Sequence, residues 1–216
     1  MNTIITIDGP SGAGKSTIAR QLAQRLGYTY LDTGALYRAV AWKVRNDNAD
    51  PDNDKQLLDL LGRINITLTE NKIIVNGTDV TSMIRTPEIS ELSSKVSAIP
   101  VVRKHLFKLQ REIGLKGRVV IEGRDTGTVI FPEADNKFFM DATPEERGRR
   151  RYEELKEKNP ETTLKKTIDG IKTRDERDST RQSAPLKKTD AMIYIDTSNL
   201  TIEQVIIKIM GSLKTT

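Results

Sequence analysis

The chain has 216 residues, 30% of them charged and only 5% aromatic, with 35 lysines and arginines against 30 acids and no cysteine. That length can bury a sizeable core, and the composition describes a soluble chain with an aliphatic interior, without disulfides, thiolate metal sites or cysteine nucleophiles. No apolar run approaches the roughly 20 residues of a membrane helix, and the net charge of +5 suits an anionic partner, either nucleic acid or a phosphorylated small molecule.

The first residues, Met-Asn-Thr-Ile-Ile, run directly into an apolar β-type segment, "TIITI" (3–7), with no basic leader or cleavage site, so the cytoplasm is the expected compartment. "GPSGAGKST" (9–17) follows, and then Ile18, Leu22 and Leu26 recur at helical spacing until Gly27 supplies a stop. "YTYL" (28–31) reads as a second strand, and "LDTGALYRA" (31–39) leaves it for a helix that Asp32 or Thr33 can cap. "INITLTENKIIVNGTDVT" (64–81) breaks the rhythm, because it alternates apolar and polar residues around two turn signals, Asn71-Lys72 and Asn76-Gly77. It reads as a small antiparallel β insertion. Val102, Leu106, Leu109 and Ile113 form another helical stripe, followed by apolar runs at "RVVIE" (118–122), "KFFMD" (137–141) and "MIYID" (192–196). Ile202, Val205, Ile206, Ile209 and Leu213 complete the series, with Thr201 as N-cap. Strands alternating with helices predict an α/β fold with a parallel sheet of five strands flanked by helices.

Gly9, Pro10, Ser11, Gly12, Ala13, Gly14, Lys15 and Ser16 satisfy G-x-x-x-x-G-K-[ST] at every fixed position, between a strand and an amphipathic helix. In such a loop the glycines let backbone N–H groups turn inward on nucleotide phosphates, and the helix N-terminus adds partial positive charge. Lys15 would reach the β- and γ-phosphates, and the Ser16 hydroxyl would take a place on Mg²⁺, with Thr17 closing the ATP-binding stretch. The motif predicts a nucleoside triphosphate and leaves the phosphate's destination open.

Three further clusters address that destination. Tyr37 and Arg38 fall one turn into the helix after Asp32, suiting a second anion that carries a flat ring. Glu122, Arg124 and Asp125 end the strand at 118–122, where ligands of open α/β sheets bind. Glu122 would hold Mg²⁺ through a water, and the planar fork of Arg124 would sit on a transferring phosphoryl group. Last come two arginine-rich segments, "EERGRRRYEELKEK" (145–158) and "KTRDERDSTR" (172–181), around "KNPETT" (158–163). In the first, Arg147 and Arg151 share a helix face, and in the second Arg174 shares one with Asp178. A phosphotransferase must exclude water, and a lid carrying positive charge does so. The acids interleaved with these arginines would break a phosphate-tracking stripe, so no nucleic-acid partner is expected. No long exposed apolar stripe calls for an obligate partner, so a monomer is expected. His105 reads as a solvent-facing helix residue and Trp42 as core, while "KKTD" (187–190) misses the guanine-reading pattern at its first position and would instead lie near the ATP adenine.

Together "DGPSGAGKST", "LDTGALYR", "SAIPVVR", "EGRDTGTVIFP", "RDERDSTR" and "APL" closely resemble the bacterial cytidylate kinases, a nucleoside monophosphate kinase family, from the first strand to the last helix. The resemblance implies a P-loop NTPase fold with a small antiparallel insertion and a helical lid. It divides the chain into a core (1–33, 100–145 and 184–216), a monophosphate-binding region (34–99, with the insertion at about 64–84) and a lid (146–183). It implies transfer of the γ-phosphate of ATP to CMP or dCMP, with Mg²⁺ required. By motif, Thr33, Tyr37 and Arg38 would line the monophosphate site, and Ser94 and Arg103 would approach the acceptor's base and phosphate. Arg124 would address the phosphate, Asp125 the cytosine edge, and Asp178 with Arg181 the ribose. Arg174 would face the phosphoryl group in flight, with Arg147 and Arg151 in the lid and Lys15 at the transferring phosphate. Thr33 stands where many members carry serine. The pairings Arg124–Asp125 and Asp178–Arg181 favour a cytidine nucleotide over UMP, AMP or shikimate.

Overall fold

The computed structural model describes residues 3–69, 72–157 and 161–214. They divide into two compact units, one of residues up to Leu31 with Lys116 onward, the other Asp32–Leu115.

The first unit is built on the expected five-stranded sheet. Its strands are β1 (Ile4–Asp8), β2 (Thr29–Asp32), β6 (Val119–Gly123), β7 (Asn136–Asp141) and β8 (Ile193–Asp196), in the order β2-β6-β1-β7-β8. β1 runs parallel to β6, with Ile4 opposite Val119 and Asp8 opposite Gly123, and parallel to β7, which in turn runs parallel to β8. Every residue of β1 and β6 is buried, as befits central strands covered on both faces, where apolar runs replace alternation. Helix α1 (Lys15–Leu26) packs Ile18, Ala19 and Leu22 into a core with Ile5, Ile7, Val120, Phe138 and Met140. Each such aliphatic side chain contributes about 1.5–3 kcal/mol of burial. Gly27 ends α1 in the left-handed conformation. Helix α8 (Ile202–Gly211) adds Val205, Ile206 and Ile209 to the same core. It opens on a capping box in which Thr201 accepts from the Gln204 amide and Gln204 reaches back. Helices α6 (Pro144–Lys156) and α7 (Leu164–Thr180) pack together so closely that a Cβ on Gly148 would lie 2.3 Å from Ile168 Cγ1. Residues 158–160 of "KNPETT" lie outside the described residues, while Thr163 caps α7.

The second unit holds α2 (Thr33–Asn46), α3 (Asp54–Arg63), the antiparallel strands β3 (Ile66–Leu68), β4 (Ile73–Val75) and β5 (Thr78–Asp79), α4 (Pro87–Val96) and α5 (Pro100–Gly114). α5 groups here rather than with the sheet. The insertion forms where the alternation places it, with Ile66, Ile73 and Val75 buried. Asn76 (φ 47°) and Gly77 (φ 83°) make the β4–β5 turn, both positive as its tight two-residue geometry demands. The other turn signal, at Asn71, lies outside the described residues. His105 is half-buried on α5 rather than solvent-facing, and burial lowers its pKa.

Candidate active site

The glycine-rich loop leaves the end of β1 and turns into α1. Gly9 has no room for a side chain, since a Cβ there would lie 1.9 Å from the Met140 carbonyl oxygen. Gly12 (φ 79°) and Gly14 (φ 87°) take left-handed conformations, and Gly14 begins α1 without a side-chain cap. Lys15 is buried and its Nζ donates to the Pro10 carbonyl at 2.6 Å. Burial pushes its pKa down to about 7, aided by the positive charges of Arg124 and Arg174 and opposed by Glu122 and Asp8. Ser16 and Thr17 are exposed on the first turn of α1.

Side chains from distant segments fix the loop. Asp175 on α7 accepts from the Ser11 amide at 3.1 Å, and Arg147 on α6 donates to the Ser11 carbonyl at 3.0 Å. Arg147 also bonds Asp175 and the Ala142 carbonyl, and it is only 5% exposed. Thr197 donates to the Ala13 carbonyl at 3.2 Å and is itself held by Arg150. Arg147 is thus lodged against the loop, whereas Arg151, four residues on and partly exposed, pairs with Glu154 at 2.7 Å.

At the end of β6, the buried Glu122 accepts from the Tyr30 hydroxyl at 2.8 Å. Beyond Gly123, Arg124 and Asp125 pair with residues of the α7 motif. Arg124 Nε donates to Asp178 at 2.8 Å, and Arg181 donates to Asp125 at 3.2 Å. Each residue of the Arg124–Asp125 dipeptide thus bonds a different residue of the α7 motif, and backbone geometry explains it. Arg124 and Asp125 follow one another off a strand, so their side chains diverge. Arg181 is the C-cap of α7, with an extended backbone that takes it off the helical face of Asp178. Burial works against the Asp178 charge, yet Arg124 and Arg174 hold its pKa below the usual range. Arg174 Nε lies 3.9 Å from the same carboxylate.

Asp8, the last residue of β1, is completely buried and accepts from the Thr126 amide (2.9 Å), the Thr126 hydroxyl (2.8 Å) and the Gly127 amide (2.8 Å). Burial pushes its pKa up to about 6 despite those donors, and Asp125 adds to the rise.

The second unit carries its own cluster. Asp32 caps α2 through the Ala35 amide (2.8 Å) and binds Arg38 (2.7 Å) and Arg85 (3.3 Å). Burial alone would raise its pKa, but the two guanidinium groups hold it low. Arg38 Nε is buried with no hydrogen-bond partner among the described residues. Arg103, 7% exposed, stands 5.7 Å over the Tyr37 ring and donates to the Ser97 carbonyl at 3.1 Å. Thr33 opens α2 and Ser94 lies on α4, both buried.

Sequence reasoning assigned no role to Asp8, Arg85 or Asp175, and saw in Asp32 only a possible cap. Asp8 and Asp175 stand beside the phosphate loop and within the second arginine-rich segment, but their partners are 118 and 164 residues away. No local spacing announces such contacts.

A profile of cytidylate kinases matches residues 5–215. The chain belongs to the cytidylate kinase family. It is 51% identical to the cytidylate kinase of Geobacter sulfurreducens over 94% of this chain and 89% of that one. It is 44% identical to that of Clostridioides difficile over 98% of each. Among solved structures, an uncharacterized protein from Eubacterium ventriosum covers 98% of the chain with a TM-score of 0.56 at 14% identity, a likeness of fold alone. The described helices of this chain include none long and apolar enough to cross a membrane.

Proposed function

We propose that the chain transfers the γ-phosphate of ATP to CMP or dCMP, giving ADP and CDP or dCDP. The observation that carries this reading is the buried Lys15 of a phosphate loop set in the positive field of Arg124 and Arg174, in a chain of the cytidylate kinase family. Three cations close enough to depress a lysine pKa repel one another. A polyphosphate is the ligand that relieves them, and it would restore the Lys15 proton on binding.

Phosphoryl transfer through a loose transition state asks for positioning and charge neutralisation rather than a protein nucleophile. Loop amides from Gly12 to Thr17 hold the donor phosphates, Lys15 spans to the transferred group, and Arg124 and Arg174 spread their charge over it. On the acceptor side, Arg38 has an unused buried Nε, and Arg103 stacked on Tyr37 suits an anion beside a flat ring, with Thr33 and Ser94 nearby in sequence motifs. Asp125 and Arg181 serve the cytosine edge and the ribose together with Asp178. The acceptor phosphate is already largely ionised near neutral pH, so no base is needed. Arg147 steadies the loop, and α6 and α7 act as the lid that keeps water from the γ-phosphate.

The residues fit Mg²⁺. Ser16 presents an exposed hydroxyl on the first turn of α1, Glu122 offers a buried carboxylate, and the described residues hold no cluster of three acids or histidines. A hard ion with few protein oxygens, completed by phosphate and water, is the habit of Mg²⁺. Ser16, and Glu122 through a water, would hold the ion, which when bound neutralises the β- and γ-oxygens. We place this activity in the cytoplasm, in a monomer acting on small nucleotides rather than nucleic acid.

Initial rates with ATP and a panel of monophosphates test the reading. CMP and dCMP should be the best acceptors, with CDP identified as product, and a preference for AMP or GMP would overturn the choice.

A further inference from the structure

We infer that Thr197, gripped by Arg150 of α6, is a positioning residue that aims the Gly14 amide of the phosphate loop at the donor's phosphates. This deepens the proposed function and rests on it.

Thr197 is the first residue after β8 and is only 3% exposed. A buried hydroxyl must place its single proton and its lone pairs inside the protein. Arg150 decides which goes where. Its guanidinium can only donate, and it gives one N–H to the Thr197 hydroxyl oxygen at 3.1 Å and another to the Thr197 carbonyl at 2.7 Å. Glu146 accepts from Arg150 Nε at 2.9 Å and holds the fork in that orientation. With its oxygen met by a donor, the Thr197 hydroxyl turns its proton to the carbonyls of Ala13 (3.2 Å) and Asp141 (3.0 Å). The Asp141 carbonyl already receives the Thr197 amide at 2.8 Å, so the hydroxyl's distinctive contact is the one to Ala13.

Ala13 is fully buried and immediately precedes Gly14. No peptide bond among the described residues is cis, and in a planar trans peptide the carbonyl and the following N–H point to opposite sides. Drawing the Ala13 carbonyl outward to Thr197 therefore turns the Gly14 N–H inward. Glycine accepts either sign of φ, so the loop's own residues supply the bend and leave the peptide's orientation to outside contacts. The arrangement has a counterpart two residues earlier, where Arg147 draws the Ser11 carbonyl outward at 3.0 Å and so turns the Gly12 N–H. An arginine of α6 thus stands behind each of two alternate carbonyls, directly at Ser11 and through Thr197 at Ala13. A Cβ on Gly14 would lie 3.9 Å from Arg150 Nη1, which places that guanidinium against this part of the loop. The Ser198 hydroxyl accepts from the Thr143 amide at 3.0 Å, fixing the start of α6 to the same segment.

Thr197→Val keeps the shape and removes the hydroxyl. It should raise the KM for ATP about tenfold, the loss of a hydrogen bond to a charged group, and leave the KM for CMP within about twofold. Inorganic tripolyphosphate, used as a competitive inhibitor against ATP, should lose affinity by the same factor, because the aimed amide meets phosphate and not the base. Thr197→Ser keeps the hydroxyl and should restore both constants. Arg150→Lys keeps the charge but loses the fork. It should raise both constants about threefold alone and add little in a Thr197→Val background, and it keeps the inference testable if Thr197→Val folds poorly. A merely structural Thr197 would lower the melting temperature and leave the inhibition constant of tripolyphosphate unchanged. That result, or additive effects of the two substitutions, would overturn the inference. Were another monophosphate the preferred acceptor, the cytidylate reading would fall, while the tripolyphosphate measurement would still judge Thr197.

Discussion

The phosphate loop and the arginine-bearing helices both prepare polar groups for an anion, but they differ in how far each residue must look for its partner. In the loop, the bends and the Lys15 contact are local, although Asp175, Arg147 and Thr197 hold it from a distance. Gly12 and Gly14 bend the chain, Gly9 clears Met140, and Lys15 reaches back to Pro10. In α6 and α7, identical residue types take opposite roles according to remote contacts. Arg147 is sealed beneath Ser11, 136 residues earlier in the chain, whereas Arg151 pairs with Glu154 three residues along its own helix. A compact motif therefore carries its geometry with it, and a charge pattern on a helix does not.

The largest effect should come from the loop. Lys15→Ala should cut turnover by on the order of 10²–10³, the cost of losing a group aimed at transition-state charge, and leave CMP binding by calorimetry near wild type. Unchanged turnover would dismiss the loop assignment. The two helix arginines sharpen the contrast. Arg147→Ala strands Asp175 beside the loop and should cost about 3–5 kcal/mol of stability in denaturant titrations. Arg151→Ala should stay within about 0.5 kcal/mol, and equal losses would erase the distinction between them. Asp178→Ala frees Arg124 from its partner and should raise the KM for CMP about tenfold or more. A change limited to the KM for ATP would count against its placement. The smallest effect is a pH dependence. The folded pKa of Asp8, about 6, lies above its ordinary 3.8, so folding takes up a proton between them. This group's contribution to stability grows as pH falls through 6 and is lost as pH rises. The stability gap between wild type and Asp8→Asn should therefore widen by about 1 kcal/mol from pH 7 to pH 5. A gap that is flat with pH would mean Asp8 titrates normally.

The sheet, the insertion and the loop were legible because period and spacing are local properties. Val119 to Glu122 had to be a covered strand, and Asn76-Gly77 had to turn. Arg124, Asp125, Asp178 and Arg181 were recognisable as a group through the family's motifs, but their pairing was not. It depends on the divergence of two successive side chains and on α7 ending at Thr180, one residue before Arg181. Asp8 and Asp175 look like ordinary acids in sequence, and only the fold brings orphan amides to them.

Gly148 has a mechanical consequence. With Ile168 filling the space a side chain would claim, α6 and α7 are interlocked rather than merely adjacent. A side chain at position 148 would therefore have to force the two helices apart, so the pairing of α6 with α7 depends on that one missing Cβ.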